Sequence, residues 1–190
     1  MFDTFFNNTS TNTIVSEIKS KGYYAFEKAI EEKYVDHLLS EIDFDSISLN
    51  SNDVGVVNAN NIKFLTHCLA SSKSTFDIIT SDKVLDICKS YFTDTFNLVN
   101  HRIYKTCKSS HMPWHTDNNR QVGNKLSEKH EMPGLLFLFY LSDVDKNAFQ
   151  FIDGSHKFSK KYSKEVYLSD KYIQSAYKKH ILTFYMKKGS

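Results

Sequence analysis

The sequence has few cysteines, no long apolar run and no internal repeat. Its three cysteines (Cys68, Cys88 and Cys107) are odd in number and widely spaced, which argues against a disulfide framework or a zinc knuckle and favours reduced, structural thiols. No apolar run approaches the roughly 20 residues of a membrane helix. The first residues lack a basic region ahead of an apolar stretch, so a secretory signal is not expected. Together these absences predict a cytoplasmic protein without a membrane span.

The chain has the composition of one soluble globular domain. Hydrophobic residues make up 41% and charged residues 24% of its 190 residues, a balance typical of folded soluble proteins rather than of disordered or fibrous ones. No repeat, low-complexity tract or linker divides the sequence. We therefore predict a single domain over residues 1–190.

The net charge of +2 is unevenly distributed. The segment from Lys157 to Ser190 holds nine lysines against two acidic residues, so it carries +7 and the rest of the chain −5. This basic end would suit an anionic small-molecule substrate; the alternative is an ordinary lysine-rich surface. The lysines are not joined by arginine clusters or by a recognisable binding motif, so nucleic acid is not an expected partner.

Helical patterns come first along the chain. Thr13 can cap a short amphipathic helix that Gly22 ends. Residues 31–42 place their apolar side chains on one helical face, and Ser81 can cap a second clear amphipathic helix that reaches Phe92. The sequence therefore predicts a helical support over about residues 1–93.

Strand patterns dominate the rest. Residues 23–30 predict a strand, and the asparagine-rich segment 43–61 predicts a long loop or a pair of short edge strands. Residues 96–107 alternate with a period of two, residues 133–144 form an apolar run typical of a buried strand, and residues 147–157 predict a short strand that enters a tight turn. We therefore predict a mostly β fold, an antiparallel sandwich or barrel, with its sheet core at about 94–190.

The candidate chemistry lies in the segment MPWHTDNN. In an extended chain His115 and Asp117 leave the same face, so an imidazole nitrogen and a carboxylate oxygen can meet one ion. A third ligand would complete the two-histidine, one-carboxylate triad of non-haem iron(II). Alone the triplet is weak, because about 0.6 such triplets are expected by chance from 8 histidines and 14 aspartates.

The motifs around this segment are similar to those of a known family. The order of NHRIYKTC, WHTD, GLLFLFYLSDV and NAFQFIDGSHK resembles the phytanoyl-CoA dioxygenase family of iron(II)- and 2-oxoglutarate-dependent oxygenases. The resemblance runs from about residue 22 to the end. It implies a double-stranded β-helix, or jelly roll, in which His115 and Asp117 bind iron(II). It also implies hydroxylation of a small molecule with 2-oxoglutarate as cosubstrate.

The same resemblance implies that part of the site lies outside the sequence. In the family a second iron-binding histidine, and an arginine that holds 2-oxoglutarate, follow the Gly-Ser-His turn on a later strand. The segment 187–190 looks like the approach to that strand. We therefore expect the third ligand and the arginine beyond Ser190, the C-terminal strands of the jelly roll to be missing, and no oxygenase activity in these 190 residues alone.

Five further residues are candidates for the pocket. Arg102 and Tyr104 share a strand face that would bind a carboxylate of the cosubstrate or substrate, unless that face is simply solvated. Trp114 is either a packing residue or a substrate platform. Asn118 would line the pocket rim or form a turn. His156 would lie at the rim, supply a ligand, or stabilise its own turn.

Two rival functions come from other classes. One is a non-catalytic jelly-roll binding module or an inactive fragment, and the other is a cupin-like metal protein with hydrolytic or isomerase activity. Substrate-driven conversion of 2-oxoglutarate into succinate would separate the oxygenase from both.

Overall fold

A computed structural model gives the fold of most of the chain. The residues that it describes are 1–42, 56–59, 62–106, 112–115, 121–122, 125–126, 134–157 and 167–190.

Helices form most of the described part of the first ninety-two residues. They are α1 (Thr4–Asn8), α2 (Thr11–Lys21), α3 (Glu32–Ser40), α4 (Cys68–Ser71), α5 (Lys73–Ile79) and α6 (Asp82–Phe92). The three helices that the amphipathic patterns predict are therefore confirmed. Ser10, rather than Thr13, is the N-cap of α2, and Gly22 ends it with a left-handed φ of 93°.

The hydrophobic core lies among these helices. Helix α2 packs against α6, and α5 packs against both α3 and α6. Ile14, Val35 and Ile87 bring one aliphatic side chain each from α2, α3 and α6, and none is more than 1% exposed. Complete burial of such a side chain stabilises a fold by about 1.5–3 kcal/mol. The described part of the protein is therefore held together mainly by helix packing.

The strands are short and antiparallel. Strands β1 (Val56–Ala59), β2 (Ile62–Leu65) and β3 (Ile103–Thr106) form a three-stranded sheet in that order. The two-stranded ladders pair β4 (Trp114–His115) with β8 (Tyr167–Leu168), β5 (Gln121–Val122) with β6 (Lys125–Leu126), and β7 (Phe149–Ile152) with β9 (Ile181–Phe184). Helix α7 (Asp170–Tyr177) lies between β8 and β9 in sequence.

The prediction of a mostly β jelly roll is wrong. In the described residues no sheet has more than three strands, none closes into a barrel, and the core is helical. Residues 23–30 contribute only a single bridge, between Ile30 and Phe2. Of the residues of the predicted strand 96–107 that the structure describes, which are 96–106, only Ile103–Thr106 form a strand, and the preceding residues are irregular.

The apolar run that predicts a buried strand is irregular for a visible reason. From residue 134 onward it has no regular structure, but its alternate side chains pack against the helical core: Leu135, Phe137, Phe139 and Leu141. Its backbone pairs with the end of the chain rather than with a sheet, since Val144 N donates to Met186 O at 2.9 Å. An extended segment buried on one side thus has the apolar pattern of a strand without being one.

The segment 186–190 joins two distant parts of the protein. The Gly189 carbonyl accepts hydrogen bonds from the Ala29 and Ile30 amides, both at 2.7 Å, and the Gly189 amide donates to the Tyr140 carbonyl at 2.8 Å. Gly189 has φ 90°, and a Cβ there would overlap the carbonyl oxygen of Ile30. Only glycine satisfies both requirements at this position.

A carboxylate joins α3 to α5. Glu41 follows α3 directly and accepts hydrogen bonds from Ser72 Oγ at 2.5 Å and from the Ser74 amide at 3.0 Å. Ser72 Oγ in turn accepts from the Thr75 amide at 3.1 Å and so caps α5. Burial by itself raises the pKa of the Glu41 carboxyl, but these hydrogen bonds outweigh it and hold the pKa below its ordinary value.

Candidate functional site

His115 lies on the short strand β4, where the sequence predicts an extended segment. Trp114 and His115 pair in antiparallel register with Leu168 and Tyr167 of β8. The His115 side chain is exposed and Trp114 is half-buried. The backbone therefore presents the imidazole to solvent while the indole beside it is partly packed.

A hydrogen bond to the chain just before it orients the His115 ring. His115 Nδ1 lies 2.7 Å from the carbonyl oxygen of Pro113. Because a carbonyl can only accept, Nδ1 carries the proton and donates. In the neutral ring the lone pair is then on Nε2. Histidines that bind metals commonly donate their other ring N–H to a backbone carbonyl in this way, which fixes the tautomer.

Tyr167 borders the same imidazole from the opposite strand. The ring centroids of His115 and Tyr167 are 6.0 Å apart at an interplanar angle of 68°, an edge-to-face arrangement. Tyr167 is 57% exposed, so its ring lies beside His115 on the surface rather than in the core. Nothing in the sequence pairs these residues, because their contact depends on the register of two strands that are far apart in the chain.

Arg102 and Tyr104 meet at a different place, over Phe64 of β2. The Arg102 guanidinium lies 5.3 Å from the Phe64 ring centroid, and the Tyr104 ring lies 5.9 Å from the same ring. The two predicted pocket residues therefore share a face, on the three-stranded sheet. Burial raises the pKa of the Tyr104 hydroxyl, and the nearby Arg102 charge only partly opposes this.

His156 is held against the end of α2. The predicted strand and turn are confirmed, because β7 leads into a 3-10 turn over Ser155–Lys157. His156 Nε2 donates to the Lys19 carbonyl at 3.3 Å. Its ring also lies where a Cβ on Gly22 would be. The structure thus gives His156 a packing contact across the protein in addition to its place in the turn.

Two predicted site residues, Asp117 and Asn118, lie outside the described residues, so the convergence of His115 with Asp117 stays a prediction. Within the described ranges, no three His, Cys, Asp or Glu side chains are grouped so that they could hold a metal ion. The tautomer of His115 does fit a metal ligand. The proposed iron ligands are therefore His115, whose geometry is described, and Asp117, which is known only from the sequence motif.

Comparison with known protein families, curated proteins and solved structures found no match. The class suggested by the motifs is accordingly a prediction from residues alone. Among the helices that the structure describes, none combines the length and the apolar character needed to cross a bilayer.

Proposed function

We propose that the chain belongs to an iron(II)- and 2-oxoglutarate-dependent oxygenase that hydroxylates a small molecule and is related to the phytanoyl-CoA dioxygenase family. The proposal rests on the motif residues and does not use the jelly-roll architecture. The observation that carries it is the 2.7 Å hydrogen bond from His115 Nδ1 to the Pro113 carbonyl. That bond favours the tautomer in which Nε2 is the ring nitrogen with the chemistry of a metal ligand, on an imidazole that is exposed.

The proposed roles follow from side-chain chemistry. His115 and Asp117 would hold the metal, as one imidazole and one carboxylate of a facial triad. Arg102 is exposed, with its guanidinium over the Phe64 ring, and is the proposed contact for a carboxylate of the cosubstrate or substrate. Trp114, half-buried beside His115, would limit the access of water on that side.

When bound, iron(II) supplies the family chemistry, in which 2-oxoglutarate and dioxygen become succinate and carbon dioxide while a substrate C–H bond becomes C–OH. The chain itself supplies ligands, orientation and a binding surface. An anionic substrate would be attracted by the lysines after residue 156. The buried thiols Cys68 and Cys88 suit a reducing compartment, so the proposed location is the cytoplasm.

Metal binding can be tested through the single tryptophan of the chain. Cobalt(II) accepts imidazole and carboxylate ligands and does not oxidise readily, and as a paramagnetic ion it quenches a nearby indole. We expect cobalt(II) to quench Trp114 fluorescence, and His115→Ala or Asp117→Ala to weaken this at least tenfold. His180→Ala removes another exposed histidine and should leave the quenching unchanged.

Turnover is tested separately, with iron(II), 2-oxoglutarate and oxygen, by following succinate. Succinate formation that His115→Ala and Asp117→Ala abolish supports the oxygenase. Cobalt(II) binding that is insensitive to both variants overturns the proposal. Binding that depends on His115 but never leads to succinate, with the natural full-length chain and a panel of small-molecule substrates, would favour the non-catalytic rival.

A further inference from the structure

We infer that Tyr167 is a positioning residue that fixes the orientation of the His115 imidazole for ligand binding. This inference rests on the proposed function, since it assigns a partner to the same site. It names a residue that lies far from the WHTD motif in sequence and that no pattern in the sequence connects to it.

The register of β4 and β8 brings His115 and Tyr167 together. His115 and Tyr167 are directly opposite each other in the β4–β8 ladder, and Trp114 faces Leu168 in the same way. Side chains of directly opposite residues emerge on the same face of a ladder and interact. The backbone therefore holds the phenol ring beside the imidazole.

Contacts with Pro113 and Tyr167 restrain the His115 ring. The Pro113 carbonyl fixes the direction of Nδ1, but one hydrogen bond at an exposed site is open to competition from water. The edge-to-face contact with Tyr167, at 6.0 Å between centroids and 68° between planes, restricts the swing of the ring about its side-chain torsions. The contacts with Pro113 and Tyr167 thus both restrain the orientation of the imidazole.

Tyr167 lies mostly on the surface. It is 57% exposed, so it contributes little to a core, and within the described part of the chain its ring contacts His115. Truncation of Tyr167 should therefore cost the core little, so that a change in ligand binding can be assigned to the lost contact with His115. The contact uses the face and edge of the ring, so phenylalanine should replace tyrosine without loss.

Cobalt(II) titration calorimetry tests this with matched variants. Tyr167→Ala should weaken His115-dependent cobalt(II) binding by about two- to tenfold, the size expected when an aromatic pair contact is lost. Tyr167→Phe should bind as the unmodified chain does. Leu168→Ala truncates the neighbouring residue of the same ladder, faces Trp114 instead, and should also bind normally. Equal weakening by Leu168→Ala and Tyr167→Ala, or none by Tyr167→Ala, overturns the inference.

A metal-free measurement separates this inference from the proposed function. The ring-proton NMR signals of His115, assigned by their absence in His115→Ala, should shift in Tyr167→Ala and stay in place in Tyr167→Phe and Leu168→Ala. If cobalt(II) binding never depends on His115, the proposed function fails, and these signals still decide whether Tyr167 orients the ring. Unchanged His115 signals in Tyr167→Ala show that it does not.

Discussion

The imidazole of His156 fills the space that a side chain on Gly22 would need. Gly22 ends α2 with φ 93°, and a Cβ built there would overlap Nδ1 of His156. The hydrogen bond from His156 to the Lys19 carbonyl, at 3.3 Å, reaches the last turn of the same helix. The absence of a side chain at Gly22 thus leaves space for His156, which belongs to the turn Ser155–Lys157 much later in the sequence.

Gly22→Ala should destabilise the protein more than Gly154→Ala. Both glycines have a left-handed backbone, with φ 93° and 73°, but among the described residues nothing lies within 4 Å of a Cβ on Gly154. Alanine in this conformation costs about 1–2 kcal/mol, which should be the whole effect at Gly154. The overlap with His156 adds to it at Gly22. Urea unfolding measures both.

A double variant measures the steric overlap between a Cβ at residue 22 and the His156 ring. His156→Ala removes the obstructing ring, so Gly22→Ala should cost less in that background than in the unmodified chain. Equal costs for Gly22→Ala and Gly154→Ala in the unmodified chain would contradict the contact.

Glu41→Gln should lower stability near neutral pH by about 1–3 kcal/mol, because the amide cannot replace a carboxylate that accepts several hydrogen bonds. The pKa of Glu41 is lowered in the fold from its ordinary value of 4.5. Its stabilisation is therefore present above that value and lost as the pH falls through the lowered folded pKa. The stability difference between the two proteins should shrink over that acid range.

Glu17→Gln is the matched control for this pH dependence. Glu17 pairs on the surface of α2 with Lys21 at 2.7 Å, and exposed pairs contribute little. Its unfolding curves should follow those of the unmodified chain from neutral to acid pH. An acid dependence in Glu41→Gln identical to that of the unmodified chain would show that Glu41 does not titrate as assigned.

Cys68 and Cys88 should resist thiol reagents in the folded protein. Both are buried, and burial raises the pKa of each thiol, so little thiolate is present at neutral pH. In a Cys107→Ser background, we expect both thiols to react with Ellman's reagent much more slowly than a free cysteine does, and to react fully in denaturant. Rapid reaction under native conditions would contradict their burial.

Gly189→Ala should loosen residues 29–30. The new Cβ would overlap the Ile30 carbonyl, so the amides of Ala29 and Ile30 would lose their acceptor. We expect a loss of at least about 1–2 kcal/mol from the left-handed backbone alone, and faster hydrogen exchange at both amides. Lys188→Ala removes the ion pair with Asp36 but adds no Cβ at residue 189, so it should leave this exchange slow.

The sequence predicted the helices better than the sheets, for a physical reason. Helices α2, α3 and α6 are specified locally, by apolar periodicity and, for α2, by the left-handed Gly22. Whether the run after Pro133 is a strand depends on what its backbone meets, and its partners at 186–190 cannot be identified from a local pattern. An irregular extended segment and a β-strand bury alternate side chains in the same way, so the sequence pattern does not distinguish between them.

The candidate site also has parts that follow from the local sequence and parts that depend on distant residues. The extended conformation at His115 follows from its local sequence, and so does the confirmed turn at Ser155–Lys157. The Pro113 carbonyl and Tyr167 were missed, because the first contact depends on backbone geometry and the second on the register between β4 and β8. The common face of Arg102 and Tyr104 was predictable from alternation, whereas the Phe64 ring that they share was not.

The pairing of Gly189 with Ala29 and Ile30 also sets an order of events during synthesis on the ribosome. Helices α2 and α3 are made early, before the helices α6 and α5 that they pack against. The two amides between them gain their acceptor only after Gly189 has been made, long after both helices. Ile30, which is fully buried in the folded protein, therefore cannot be fully enclosed before then, and until that point the nascent chain exposes an apolar site that a chaperone can bind.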